Sequence, residues 1–279
     1  MFFCISVLLI FNGFASCNQP ASTKTTTVVN DSSAITITLP DSVTKFANHA
    51  TAVYDSTKKY IYLTFDDGPQ NGTTTVFELC KQYNIKATFF MVGLHTDRKS
   101  DGHFIVNNIK NAYPQILLAN HSFTHAKDRY RFFYQHPQMA AQDFYKAQQS
   151  LSVPYKIIRL PGNSAWVTNN EIKASGLVKP VCVLLDSAGF NVIGWDVEWN
   201  FNHKTAYPVQ SPQTMIALID SAFARNHTHT SNHLVILTHD RMFRLPQYAN
   251  ELATFISLLR QHGNYVFETV DHYPNLKPL

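Results

Sequence analysis

From about residue 59 onward, short apolar runs rich in β-branched and aromatic residues alternate with longer stretches whose apolar positions recur at helical spacing. Seven runs read as strands: residues 60–65, 87–92, 116–119, 156–160, 190–195, 234–238 and 265–267. Residues 73–83, 137–151, 212–224 and 246–262 read as helices between them. So does 180–188, with Gly189 placed as its C-terminal glycine. Repeated strand-then-helix units imply a parallel sheet. Seven of them predict an α/β fold, a distorted (β/α) barrel of about seven strands in a single domain over residues 46–279. In such a sheet the C-terminal strand ends converge on one face. Asp66 and Asp67, His121, Arg159, Asp196 and His239 all fall at or just past the end of a strand run, which makes that face the candidate site.

The N-terminus breaks the pattern. Residues 2–14 are almost wholly apolar, too few to span a bilayer but enough for the core of a signal peptide. Ala15-Ser16-Cys17 follows, small residues before a cysteine, similar to the lipobox of bacterial lipoproteins. Phe14 stands where Leu is usual, and no Lys or Arg lies near Met1. Residues 18–36 are rich in Ser, Thr and Ala and read as a tether. The expectation is a leader over 1–17, a tether over 18–45, export to the periplasm or cell surface, and a lipid anchor at Cys17.

Composition narrows the classes. With 45% hydrophobic and 15% charged residues, the 279-residue chain is a packed globule, not a disordered one. The net charge of +4 comes from scattered Lys and Arg, so nucleic acid is not expected as a partner. The 20 Phe and 13 Tyr suit a large core and also a groove that stacks on sugar rings. Four widely spaced cysteines make neither a disulfide framework nor a CxxC zinc site, and Cys80 and Cys182 read as core.

Two segments carry candidate chemistry. In Thr64-Phe65-Asp66-Asp67-Gly68-Pro69 the Gly-Pro forces a turn that presents two carboxylates. In His121-Ser122-Phe123-Thr124-His125 two imidazoles stand four residues apart, a spacing that one helical turn would bring onto a single metal. Two His and a carboxylate with open positions form a catalytic divalent-metal set. Zinc is the commonest occupant, and cobalt, nickel or manganese suit similar donors.

These segments, with 87–93, Asn120 before the His pair, Arg159-Leu160-Pro161-Gly162 and Leu237-Thr238-His239-Asp240, resemble in order the motifs of the NodB-homology polysaccharide deacetylases, the family 4-like carbohydrate esterases. The resemblance runs from about residue 59 to the C-terminus. It implies one divalent metal on Asp67, His121 and His125, with Asp66 as base and His239 as acid. It also implies that Arg159 holds Asp66, that the backbone N–H of Gly162 faces the oxyanion, and that Leu237 walls the acetyl-methyl pocket. Two motifs depart from the family pattern. Gly162 directly follows Pro161 where an aromatic is usual, and 195–199 compresses an acid–Trp motif. There either Asp196 or Glu198, the latter preferred, is expected to tune His239 upward, with Trp199 as a groove wall. His227, His229 and His233 precede a strand and are expected on the opposite face. The implied activity is removal of N- or O-linked acetyl groups from a carbohydrate polymer. The rivals are an amide hydrolase on a non-sugar small molecule and a catalytically silent carbohydrate-binding lipoprotein. The second would require loss of Asp66, His239 or a metal ligand, and none is lost.

Overall fold

Ten strands of the computed structural model share one sheet: β1 Lys59–Asp66, β2 Ala87–Met91, β3 Ile116–Asn120, β4 Ile157–Ile158, β5 Trp166–Thr168, β6 Glu171–Lys173, β7 Asn191–Val192, β8 Val197–Glu198, β9 His233–His239 and β10 Tyr265–Phe267. The structure describes residues 52–279 and, before them, one short antiparallel pairing of Thr25–Thr26 with Ile37–Thr38. Contacts divide the chain into residues 1–45 and 46–279. The expected leader and Cys17 lie outside the described residues.

The spatial order is β8-β9-β1-β2-β3-β4-β7-β5-β6, with β10 also on β1. Every pairing from β8 through β7 is parallel, and only β5 runs antiparallel to its two neighbours. β8 and β6 end the sheet, so the barrel is curled and open. β1 shows why it lies at the centre. Its alternation puts Ile61, Leu63 and Phe65 in one core cluster and Tyr60 and Tyr62 in another, on the opposite face. Both faces are covered, as a parallel strand requires.

The helices are α1 Thr73–Gln82, α2 Gly93–Arg98, α3 Gly102–Asn111, α4 Tyr130–Gln135, α5 Pro137–Ser150, α6 Lys179–Ser187, α7 Pro212–Ala224 and α8 Pro246–Gln261. Residues of α1, α3, α7 and α8 cover the Ile61–Leu63–Phe65 face, and residues of α4 to α6 cover β4, β5 and β7. Among the described residues no helix is long and apolar enough to cross a membrane.

Two expected strands shrink. The runs at 156–160 and 190–195 keep only two residues each, because backbone carbonyls beyond them are used otherwise. The Arg159 guanidinium donates through Nε to the Ile193 carbonyl at 3.1 Å and through Nη2 to that of Gly194 at 2.9 Å. The expected helices form with small shifts at their ends. Helices α2, α3 and α4 and the β5–β6 hairpin were not anticipated.

Candidate active site

The site forms where β1, β3 and β9 end. β1 delivers Asp66, and the backbone then turns through Asp67 at φ 75°. Gly68 leaves room for its neighbours there: a Cβ would lie 2.5 Å from Met91 Sδ and 2.6 Å from Asp240 Oδ2, so both side chains would have to shift. At the end of β3, Asn120 caps the following loop, its Oδ1 accepting the Ser122 N–H at 2.8 Å. Ser122 and His125 both adopt positive φ. The His pair therefore sits on a tight loop, not on the helical turn that the spacing suggested.

The loop still brings both rings onto Asp67. His121 Nδ1 lies 2.9 Å from the Arg159 carbonyl, which can only accept, so that nitrogen carries the proton. In the neutral ring Nε2 then presents its lone pair, 3.4 Å from Asp67 Oδ1. His125 Nε2 is 3.0 Å from the same oxygen. Asp67 Oδ1 is buried and has no aligned hydrogen-bond donor. One ligand atom from each of Asp67, His121 and His125 lies within 4.8 Å of the others. Buried lone pairs converging on an orphaned carboxylate oxygen call for a cation, and two nitrogens with one oxygen fit a divalent metal.

Asp66 is 2% exposed, and Arg159, fully buried, donates from Nη1 to its Oδ1 at 2.9 Å. The guanidinium also contacts Thr64 Oγ1, and its Cζ lies 4.3 Å from the centre of the Phe90 ring. Four hydrogen bonds made from one fixed plane hold the guanidinium against the carboxylate, which a lysine could not do. His239 ends β9, its Nε2 3.9 Å from Asp67 Oδ2 and its ring edge-on to Phe201 at 4.8 Å.

The motif at 195–199 departs from expectation. Asp196 points away from the cleft: its Oδ1 accepts the His229 N–H at 2.6 Å and its Oδ2 the Val235 N–H at 2.7 Å. Burial pushes its carboxyl up to about 6. Glu198 does line the cleft, but the charged groups that act on it are Asp66 and His203, not His239. The expected upward tuning of His239 is absent. Burial lowers its pKa and outweighs the carboxylates of Asp67 and Asp66. Trp199 is not a groove wall. It is fully buried against Phe243 and Phe255, its Nε1 donating to the Gln210 carbonyl at 2.8 Å. Strand alternation explains this, since Val197 and Trp199 share the helix-facing side and Glu198 takes the other.

Trp195 lines the cleft instead, with Leu237, Gly162, Tyr130 and Phe201, around a volume of about 840 Å³. Gly162 has φ +64°, and a Cβ on it would lie 3.2 Å from the Tyr130 ring. The aromatic missing after Pro161 is thus supplied from α4. No sequence signal linked Tyr130 to Gly162. His95, also unanticipated, places Nδ1 2.6 Å from the Asp67 carbonyl.

The second histidine group is elsewhere. His233 begins β9, its Nδ1 2.8 Å from the Tyr62 hydroxyl and its ring stacked on Tyr60. His229 stacks on Trp166 at 4.1 Å, with Nε2 3.1 Å from Glu171. His227, with His229, lines a separate cavity.

Comparison with known proteins finds carbohydrate deacetylases among the similar sequences and structures. Residues 54–176 match the family model described as polysaccharide deacetylase. The chain is 27% identical over 313 aligned positions to the chitin disaccharide deacetylase of Vibrio alginolyticus, covering 78% of this chain and 72% of that protein. It is 26% identical over 273 positions to a putative polysaccharide deacetylase of Bacillus subtilis, covering 92% and 84%. The crystal structure of the catalytic domain of a peptidoglycan N-acetylglucosamine deacetylase from Eubacterium rectale shares the fold, with a TM-score of 0.59 at 24% identity over 82% of this chain and 96% of that one. The match to the polysaccharide deacetylase family model covers residues 54–176, and the similar proteins and structures are deacetylases of carbohydrates.

Proposed function

We propose that this protein hydrolyses N-acetyl groups on a glycan with the help of one divalent metal, zinc by preference, held by Asp67, His121 and His125. The observation that carries the reading is the buried, orphaned Asp67 Oδ1 facing two imidazole nitrogens. A metal bound there supplies Lewis acidity toward water and the acetyl carbonyl. The remaining chemistry belongs to the chain. Asp66, fixed by Arg159, takes the proton of the attacking water. His239 returns a proton to the departing sugar nitrogen. Its lowered pKa suits it to pick up and release that proton within one turnover rather than to rest as imidazolium. The Gly162 N–H faces the developing oxyanion, and Leu237 closes the methyl pocket. Trp195 and Tyr130 offer faces for sugar rings.

The leader supports a location as well: export, with the mature chain beginning at a lipid-modified Cys17 and the domain held at the membrane surface. C17S should release the protein from the membrane fraction without loss of activity, and a mature N-terminus at another residue would refute the anchor. The activity is tested by acetate release over a panel of acetylated glycans, with and without chelator. Release from an acetylated small-molecule amide but from no glycan would transfer the reading to the non-sugar amide hydrolases.

A further inference from the structure

Beside the cleft, and sharing Gln70 and Arg241 with it, lies a smaller cavity of about 410 Å³, otherwise lined by Asn71, Lys99, Ala206 and Arg244. Three of its six residues are cations and none is an acid. The Arg241 guanidinium lies over the Phe201 ring, 4.4 Å from its centre, and the same ring meets His239 at 4.8 Å and His203 at 4.9 Å. The cationic wall is therefore one aromatic ring removed from the proposed acid. Arg241 Nε is buried without a hydrogen-bond partner. Arg244 is held in place, donating from Nη1 to the Arg241 carbonyl at 3.0 Å and from Nη2 to the Thr205 carbonyl at 2.7 Å, with Tyr207 beneath it.

Counter-charges are few. Lys99 has Asp101 at 2.9 Å, but among the described residues no carboxylate forms an ion pair with Arg241 or Arg244. The acids of the main cleft have other neighbours: Asp66 pairs with Arg159, Asp67 belongs to the proposed metal site, and Asp128 lies 3.4 Å from His125 Nδ1 and accepts from the Tyr130 hydroxyl. Glu198 is the remaining one, and it acts on Asp66 and His203. Arg98 and Lys127 add two more cations to the main cleft.

Neutral sugars are bound by aromatic faces and by mixed donors and acceptors. A cavity walled by two guanidinium groups and an ammonium offers donors and positive charge, which match a carboxylate or a sulfate. We infer that this cavity is a subsite for an anionic group carried by the glycan, so that the substrate is an acidic acetylated polysaccharide. The charge sits on a sugar neighbouring the one that loses its acetyl group. This rests on the proposed hydrolase activity but concerns binding and can be measured separately.

The test titrates the metal-loaded protein calorimetrically with an oligogalacturonate, a sulfated oligosaccharide and a neutral chitooligosaccharide of equal length, at low and high salt. Both charged ligands, or one of them, should bind more tightly than the neutral one, and that advantage should shrink as salt rises. Which of the two binds tells carboxylate from sulfate. The double variant R241Q/R244Q should lose at least about tenfold of the charged affinity. The rim variant K99Q should move in the same direction by less. Equal or tighter binding of the neutral ligand, or charged binding unchanged in a folded R241Q/R244Q, overturns the subsite. Acetate release separates the two readings. Release from a neutral glycan without anion binding leaves the hydrolase and removes the subsite, whereas anion binding with no release from any glycan removes the hydrolase.

Discussion

The two ends of β9 carry a histidine each, and they have opposite surroundings. His233 at the start is enclosed by Tyr54, Tyr60, Tyr62 and Tyr273, with its Nδ1 on the Tyr62 hydroxyl. His239 at the end faces carboxylates and has a buried Nδ1 with no partner. Burial lowers the pKa of both, that of His233 to about 4. The difference lies in what remains unsatisfied. At the first end aromatic stacking and a hydroxyl complete a structural packing. At the second end polar atoms are left without partners, as the proposed metal and substrate site requires. A buried histidine thus says little until its neighbours are counted.

The comparison can be broken most severely at the metal. H121A, H125A or D67N should lose stoichiometric metal by elemental analysis and reduce acetate release to the chelated baseline, since two remaining ligands hold a catalytic zinc poorly. Full metal content in H121A would contradict the site. One step smaller, D66N and H239A should retain metal yet lower turnover by about 10²- to 10⁴-fold, the usual range for a missing base or acid. Near wild-type rates in either would remove that residue from the chemistry.

Arg159 joins the two kinds of role. R159M leaves the buried Asp66 carboxylate uncompensated and should cost about 3–5 kcal/mol in denaturant unfolding, as buried pairs do when one partner is removed. R159K should recover part of the stability but less of the turnover, because one ammonium cannot occupy the Asp66, Ile193 and Gly194 positions together.

The smallest effect belongs to His233. Its folded pKa of about 4 lies below the unfolded value of about 6.5, so between those limits the unfolded chain binds more protons. Stability contributed by the neutral ring is present above about pH 6.5 and is lost as pH falls toward 4. H233F should flatten that acid limb of the melting temperature and leave the pH–rate profile intact. An unchanged limb would mean that other groups set it.

The strand ends were legible because a parallel sheet buried on both faces writes its strands as continuous apolar runs, as in 60–65 and 234–238. The polar residues that end those runs stand out, so Asp66, Asp67, His121, Arg159 and His239 could be read directly. Helices α2 and α4 were missed because six residues carry too little periodicity to register. The β5–β6 hairpin was missed for the same reason, with three residues per strand. Trp199 was expected as a groove wall, but alternation along 197–199 puts it with Val197 on the helix-facing side and leaves only Glu198 for the cleft. Tyr130 at Gly162, and the cavity that joins Lys99 to the Arg241–Arg244 turn, depend on segments that meet only in three dimensions, and the sequence holds no local trace of them.

The central claim is tested most directly by acetate release from N-acetylated oligosaccharides, assayed on one preparation as purified, after chelation and after readdition of one equivalent of zinc. The account predicts release by the native protein, loss on chelation and recovery with zinc, with no recovery in D67N. Undiminished release from the fully metal-free protein, or none from any acetylated glycan with metal bound, would contradict it.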